Sequence, residues 1–114
     1  NGDLIKELPI STYRIFGREF VFSGGGYFRM LPYFVQKPLY KQSEYVMTYF
    51  HPRDFDSEQP VLENLSRIRK FKSYVGLKGS KKKFNKLLND FDFVDIKTAV
   101  EIIDWNTVPT VKLK

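Results

Sequence analysis

The sequence predicts an α/β fold with a parallel component, and three observations lead there. Residues Glu44–Phe50 (EYVMTYF) are apolar nearly throughout, as in a parallel strand covered on both faces. Phe84, Leu87, Leu88 and Phe91 form a helical stripe after a glycine-marked break. Strand-like and helix-like patterns alternate along the chain, in the order β, α, β, α, α, β, α, which is how α/β domains are written.

Taken in order, Leu4–Tyr13 mixes apolar and polar residues as a strand does, with Pro9 marking an edge or a bend. Arg14–Phe22 (RIFGREFVF) reads as a second extended piece with a turn at Gly17. Ser23-Gly24-Gly25-Gly26 is a strong break. Beyond it Tyr27, Phe28, Leu31, Phe34 and Val35 recur at helical spacing, with Pro32 in a first turn or at a kink and Pro38 as the end. Glu44–Phe50 follows as the clearest strand, stopped by His51-Pro52 because a residue before proline avoids helical geometry.

Arg53–Pro60 is a polar, acidic loop. Leu65–Val75 reads as a helix facing inward through Leu65, Ile68, Phe71, Lys72 and Val75. Gly76 and Gly79 break it, and Ser80 caps the next helix. Phe93–Ile96 reads as a short strand and Lys97–Asp104 as a last helix with Val100 and Ile103 inward. A strand at Thr110–Leu113 would close the tail.

Composition narrows the function classes. A chain of 114 residues is one domain's worth, and one of that size buries roughly two-thirds of its unfolded surface. The 42% hydrophobic and 17% aromatic content supports a core and suits sugar-binding surfaces equally. There is no cysteine, which excludes disulfides, thiolate nucleophiles and thiolate-bound zinc. No apolar run approaches the ~18 residues of a membrane span, and no signal peptide is visible at the start. The first residue is Asn rather than Met, so a piece of a longer protein is expected.

Nineteen Lys and Arg against thirteen Asp and Glu leave a net charge of +6. A basic balance points to nucleic acid, anionic glycans or lipid surfaces. The excess sits in Arg67–Lys72 and Lys78–Lys86, both helical in pattern, where a solvated helix face is the ordinary cause.

The chain has a single histidine, His51, at the end of its best strand and ahead of Asp54, Asp56 and Glu58. Sites in α/β folds are built at such strand ends. A histidine there can serve as a general acid or base, and Asp54 is close enough in sequence to orient its ring. A strand-terminal histidine that merely hydrogen-bonds in a turn stays open. One His with Asp54 and Asp56 matches no standard zinc spacing. The glycine run is neither a dinucleotide fingerprint nor a P-loop. It can present backbone N–H groups to an anion or a sugar hydroxyl, although a tight turn is the commoner use.

Three blocks, Ser23–Pro32 (SGGGYFRMLP), Tyr49–Asp54 (YFHPRD) and Leu65–Leu77 (LSRIRKFKSYVGL), resemble the C-terminal region of bacterial polysaccharide deacetylases of the exopolysaccharide-locus type, and residues 7–13 (ELPISTY) fit as well. These enzymes are similar to NodB-like chitooligosaccharide deacetylases. The resemblance implies the C-terminal portion of an irregular (β/α) deacetylase barrel plus a small α/β extension. It also implies metal-dependent hydrolysis of acetyl groups on an acetylated polysaccharide, with a divalent metal, zinc or similar, in the intact protein.

The family's metal ligands and catalytic base lie in motifs that this chain lacks, so no metal ligand is expected here and the chain alone is expected to be inactive. Tyr49-Phe50-His51 stands where the family has a short L-x-H. That makes His51 the general acid that protonates the leaving amine, with Asp54 an orienting carboxylate. Gly25, Gly26, Tyr27 and Arg53 are candidate substrate contacts. The family's Trp-Glu after His-Pro is Arg53-Asp54 here, which keeps the acid and loses the aromatic.

On this basis residues 1–59 are expected to be barrel strands and helix with the His51 loop, residues 60–104 a helical α/β extension, and residues 105–114 a tail. The missing N-terminal half of the barrel is the first partner, and the isolated piece is expected to self-associate. Location, bacterial cytoplasm or envelope, is left open. The alternative from another class is a stand-alone basic α/β module that binds anionic glycan or nucleic acid through Lys81–Lys83, although nucleic acid fits less well. A purely structural assembly domain is the third.

Overall fold

Phe16 and Gly17 both take positive φ, 49° and 76°, and two such residues close the tightest kind of hairpin. Strand β1 (Thr12–Ile15) pairs antiparallel with β2 (Arg18–Val21) in the register Ile15↔Arg18 to Thr12↔Val21. The computed structural model describes residues 4–112. The turn expected at Gly17 is present, but the strand expected over Leu4–Tyr13 is not. Only Thr12 and Tyr13 of that stretch join a strand, and Leu4 and Ile5 stand in solvent.

The glycine break leads into α1 (Gly25–Met30). Leu31, held extended before Pro32, ends it, and Pro32 starts α2 (Tyr33–Gln42). Pro38, the expected end of this segment, instead lies inside α2. The missing N–H costs one helical bond, but Tyr40, only 4% exposed, anchors the turn beyond it in the core. Ser43 then closes the helix, its hydroxyl donating to the Leu39 carbonyl at 2.8 Å.

Glu44–Phe50 forms no regular strand. Its one ladder contact is an isolated parallel bridge between Gly24 and Tyr49. Serine hydroxyls supply the other links. The Met47 N–H donates to Ser11 Oγ at 2.8 Å, and Ser23 Oγ donates to the Met47 carbonyl at 2.7 Å. Side-chain bonding of this kind satisfies the backbone without a second strand. The apolar pattern has a use all the same, because Val46 and Phe50 pack against the core.

A 3-10 turn at Pro52–Asp54 and a loop lead to α3 (Arg67–Tyr74), whose Ser66 accepts the Arg69 N–H as N-cap. The inward face expected for α3 is largely in water: no residue of the helix is buried, and Ile68 and Phe71 are exposed. Gly76, at φ 72°, is the left-handed link into α4 (Leu77–Asp90). Gly79 and Ser80 lie inside α4, so neither the second break nor the Ser80 cap is realised. Ser80 is fully buried and bonds back to the Leu77 carbonyl at 2.7 Å.

Phe93–Ile96 is not a strand. The Asp95 carboxylate accepts the Thr98 N–H at 2.7 Å and starts α5 (Ile96–Ile102) instead. Val100 and Ile103 are half-buried, and Trp105 folds back to donate its indole N–H to the Val100 carbonyl. Residues 110–112 form no strand, and Leu113 lies outside the described residues. The class is therefore mixed α/β, with a small two-stranded sheet beside five helices among the described residues. None of those helices is long and apolar enough to cross a membrane.

Phe22, Phe28, Tyr40 and Leu87 form the buried centre, with Phe50, Phe55, Phe84 and Phe91 packed around it. Edge-to-face pairs join the segments: Phe28–Phe50 at 4.8 Å and Phe50–Phe84 at 5.2 Å between ring centroids. One cluster thus spans residues 22–91. The stripe expected on α4 is inward at Phe84, Leu87 and Phe91, but Leu88 is exposed.

Helices α2 and α4 are also joined at Asp90, whose Oδ2 accepts the Tyr33 hydroxyl at 2.6 Å and lies 2.8 Å from Lys37 Nζ. Lys37 first, then Tyr33, hold the Asp90 carboxyl below its ordinary value of 3.8. A depressed folded-state pKa gives stability that is full above pH 3.8 and lost as pH falls through the lower value. Urea unfolding of Asp90→Asn should therefore lie below wild type at neutral pH and converge with it under strong acid.

Candidate active site

His51 owes its place to its neighbours. Pro52 disfavours helical geometry for the residue before it, and His51 sits at φ −103°, ψ 152°. Two residues upstream, the Tyr49 carbonyl accepts the Gly25 N–H at 3.0 Å. Gly24 is required at this crossing, because a Cβ there would collide with the Tyr49 carbonyl. The imidazole is exposed and stands edge-on to the Tyr49 ring, 4.8 Å between centroids.

Asp54 is 4% exposed and holds the His51 backbone rather than its ring. Its Oδ2 accepts the His51 N–H at 2.9 Å, while its own N–H donates to the His51 carbonyl at 2.9 Å. The carboxylate thus meets the backbone of His51, where a contact with the ring was expected.

The other carboxylate oxygen of Asp54 lies 3.1 Å from Nε of Arg29, with side chains 5% and 6% exposed. Nε makes this ionic contact without a straight hydrogen bond. The two Nη atoms reach the end of α3: Nη1 donates to the carbonyls of Ser73 at 2.8 Å and Val75 at 3.1 Å, and Nη2 to Lys72 at 3.2 Å. A cation at a helix C-terminus satisfies carbonyls that have no helical partner. Sequence reasoning missed Arg29. The signal was present, since Arg29 is the only charged residue between Tyr27 and Gln36, in an otherwise apolar stretch.

The remaining candidates fall around this centre. The Gly25 amide is committed to Tyr49 and cannot also serve a ligand. Gly26 lies over the Arg29 guanidinium, where a Cβ would sit 3.7 Å from Nη2. Tyr27 is exposed on α1. Arg53 is exposed, and Gln59 ties the loop by donating to the Arg53 carbonyl at 2.8 Å and accepting from its Nη2 at 3.3 Å. Beside Pro52, a shallow hollow of about 390 Å³ is lined by Phe55, Asp56, Lys81, Phe84 and Asn85. Among the described residues no three His, Cys, Asp or Glu side chains gather as a metal site would require, so these residues do not fit a metal centre of their own.

The basic run Lys81–Lys83 is divided. Lys81 and Lys82 are exposed, whereas Lys83 Nζ donates to the carbonyls of Phe28, Arg29 and Leu31 at 2.7–2.9 Å. Burial pushes the Lys83 pKa down. Its ammonium serves as a cap for the C-terminal end of α1. Gln36 Nε2 also serves Phe28 and Leu31, so Lys83→Met should leave mainly the Arg29 carbonyl bare. The expected loss is about 1–3 kcal/mol, read by urea unfolding.

Residues 1–101 match a family model described as a domain of unknown function (DUF3473). No curated protein and no solved structure matches the chain. Because that match covers far more than half of the 114 residues, the chain belongs to the DUF3473 domain family.

Proposed function

We propose that this chain is the C-terminal part of a polysaccharide deacetylase, with His51 as the general acid of the intact enzyme. The observation that carries the reading is the meeting of two resembling blocks at one place. Ser23–Pro32 and Tyr49–Asp54 are joined by the Gly25–Tyr49 hydrogen bond and the Arg29–Asp54 ion pair. Above that junction stands an exposed imidazole on a fixed backbone.

In the reaction, water gives a proton to the catalytic base and adds its oxygen to the acetyl carbon, and the bond between that carbon and the amide nitrogen breaks, leaving acetate and an amine on the sugar. The departing nitrogen takes a proton, since an amine leaves far more readily than an amide anion. His51 donates that proton, and general acid assistance of this kind is worth roughly 10²–10⁴-fold. A divalent metal, when bound, would polarise the acetyl carbonyl. On this reading it is held, with the catalytic base, by residues outside this chain.

Residues 1–59 would then complete a (β/α) barrel, and residues 60–104 would be an extension packed on it. Exposed apolar side chains at Leu4, Ile5, Ile15 and Phe16 suit a surface covered in the intact protein. The isolated chain is therefore expected to self-associate in sedimentation at high concentration, and a strict monomer there counts against a missing partner.

The direct test is acetate release from N-acetylglucosamine oligomers by the intact gene product, with and without a chelator. Metal-dependent release supports the proposal. No release from any acetylated glycan tested moves the reading towards a binding module.

A further inference from the structure

We propose that Arg29 is a positioning residue for His51, and that through it the segment from the end of α3 to α4 sets where the imidazole stands. The inference rests on the deacetylase reading for its activity test, but its geometry is independent of that reading.

Both ends of Arg29 are gripped by residues 72–83. The guanidinium collects the carbonyls of Lys72, Ser73 and Val75. The Arg29 carbonyl accepts Lys83 Nζ at 2.9 Å, and Gly76 presses so closely on it that a Cβ there would collide. From this anchor the Nε contact fixes the Asp54 carboxylate, and Asp54 fixes the His51 N–H. With Pro52 limiting the backbone as well, His51 keeps little freedom beyond its own side-chain torsions.

A buried ion pair adds little stability over apolar residues of the same size. Its place under an exposed histidine is better explained by geometry. A proton donor displaced by about 1 Å can lose roughly 10²-fold in rate. The helical extension thereby holds the floor on which the proposed acid rests.

The test is a cycle in the intact gene product: wild type, Arg29→Lys, His51→Ala and the double variant. Arg29→Lys is expected to lower kcat about 10–10²-fold with KM little changed, and to cause no further loss once His51 is Ala. Equal losses in both backgrounds would mean a merely structural residue, and an unchanged kcat would overturn the proposal outright. If Arg29→Lys fails to fold, Asp54→Asn enters the same cycle.

A second readout needs no activity. In this chain, Arg29→Lys or Asp54→Asn should speed hydrogen exchange at the His51 amide about 10-fold, while the Phe28 and Leu87 amides stay protected. Unchanged exchange at His51 sinks the tether even if the enzyme is a deacetylase. Faster exchange in a protein that releases no acetate sinks the deacetylase reading and leaves the tether standing.

Discussion

Replacing Arg29 by Met is expected to cost about 3–5 kcal/mol of folding stability, the usual penalty for removing one partner of a buried ion pair. Met fills much of the stem's volume, so the loss is chiefly electrostatic. Asp54, 4% exposed, would be left without its cation. The carbonyls of Lys72, Ser73 and Val75 would lose their shared donor at the end of α3. Urea unfolding measures the cost. Adding Asp54→Leu should recover a good part of it, because no buried charge then remains, although the His51 N–H stays unpaired. A single variant within about 0.5 kcal/mol of wild type, the range of ordinary surface changes, would show that Arg29 does not organise this region.

His51→Ala is expected to have the opposite signature: near-native stability and a loss of roughly 10²–10⁴-fold in acetate release by the intact protein. The ring is exposed, and its closest aromatic neighbour is the half-exposed Tyr49. Its removal therefore creates no cavity and strands no buried group. The Asp54 clamp acts on the backbone, which Ala retains. Thermal unfolding beside the acetate assay separates the two effects, and a fall in both would point to a structural histidine.

The local signals were legible where one residue decides the backbone. Gly17 marks the hairpin turn and Pro52 sets the geometry at His51, whereas the caps at Ser66 and Asp95 were absorbed into the expected helix over Leu65–Val75 and the expected strand over Phe93–Ile96. Glu44–Phe50 was misread because an apolar run reports burial and not pairing; Ser11 and Ser23 take the role that strand neighbours would have. Pro38 and Ser80 misled for a related reason. Proline's helix penalty of about 3 kcal/mol and serine's milder one are local costs that tertiary packing offsets, with Tyr40 and Leu87 buried where α2 and α4 run on through them.

At the site, the i to i+3 spacing of His51 and Asp54 keeps the two in one turn. It could not say that the carboxylate takes the backbone N–H and not the ring. Arg29 lies 25 residues from Asp54 and 43–46 from the α3 carbonyls, and only tertiary structure brings such groups together.

The most direct measurement is acetate released from N-acetylglucosamine oligomers by the intact protein and by its His51→Ala variant, in divalent metal and with matched unfolding curves. Deacetylation with His51 as acid predicts clear release by the wild type and at least a ~10²-fold loss in the variant. Equal release by the two would contradict the role given to His51, and no release by either would contradict the deacetylase itself.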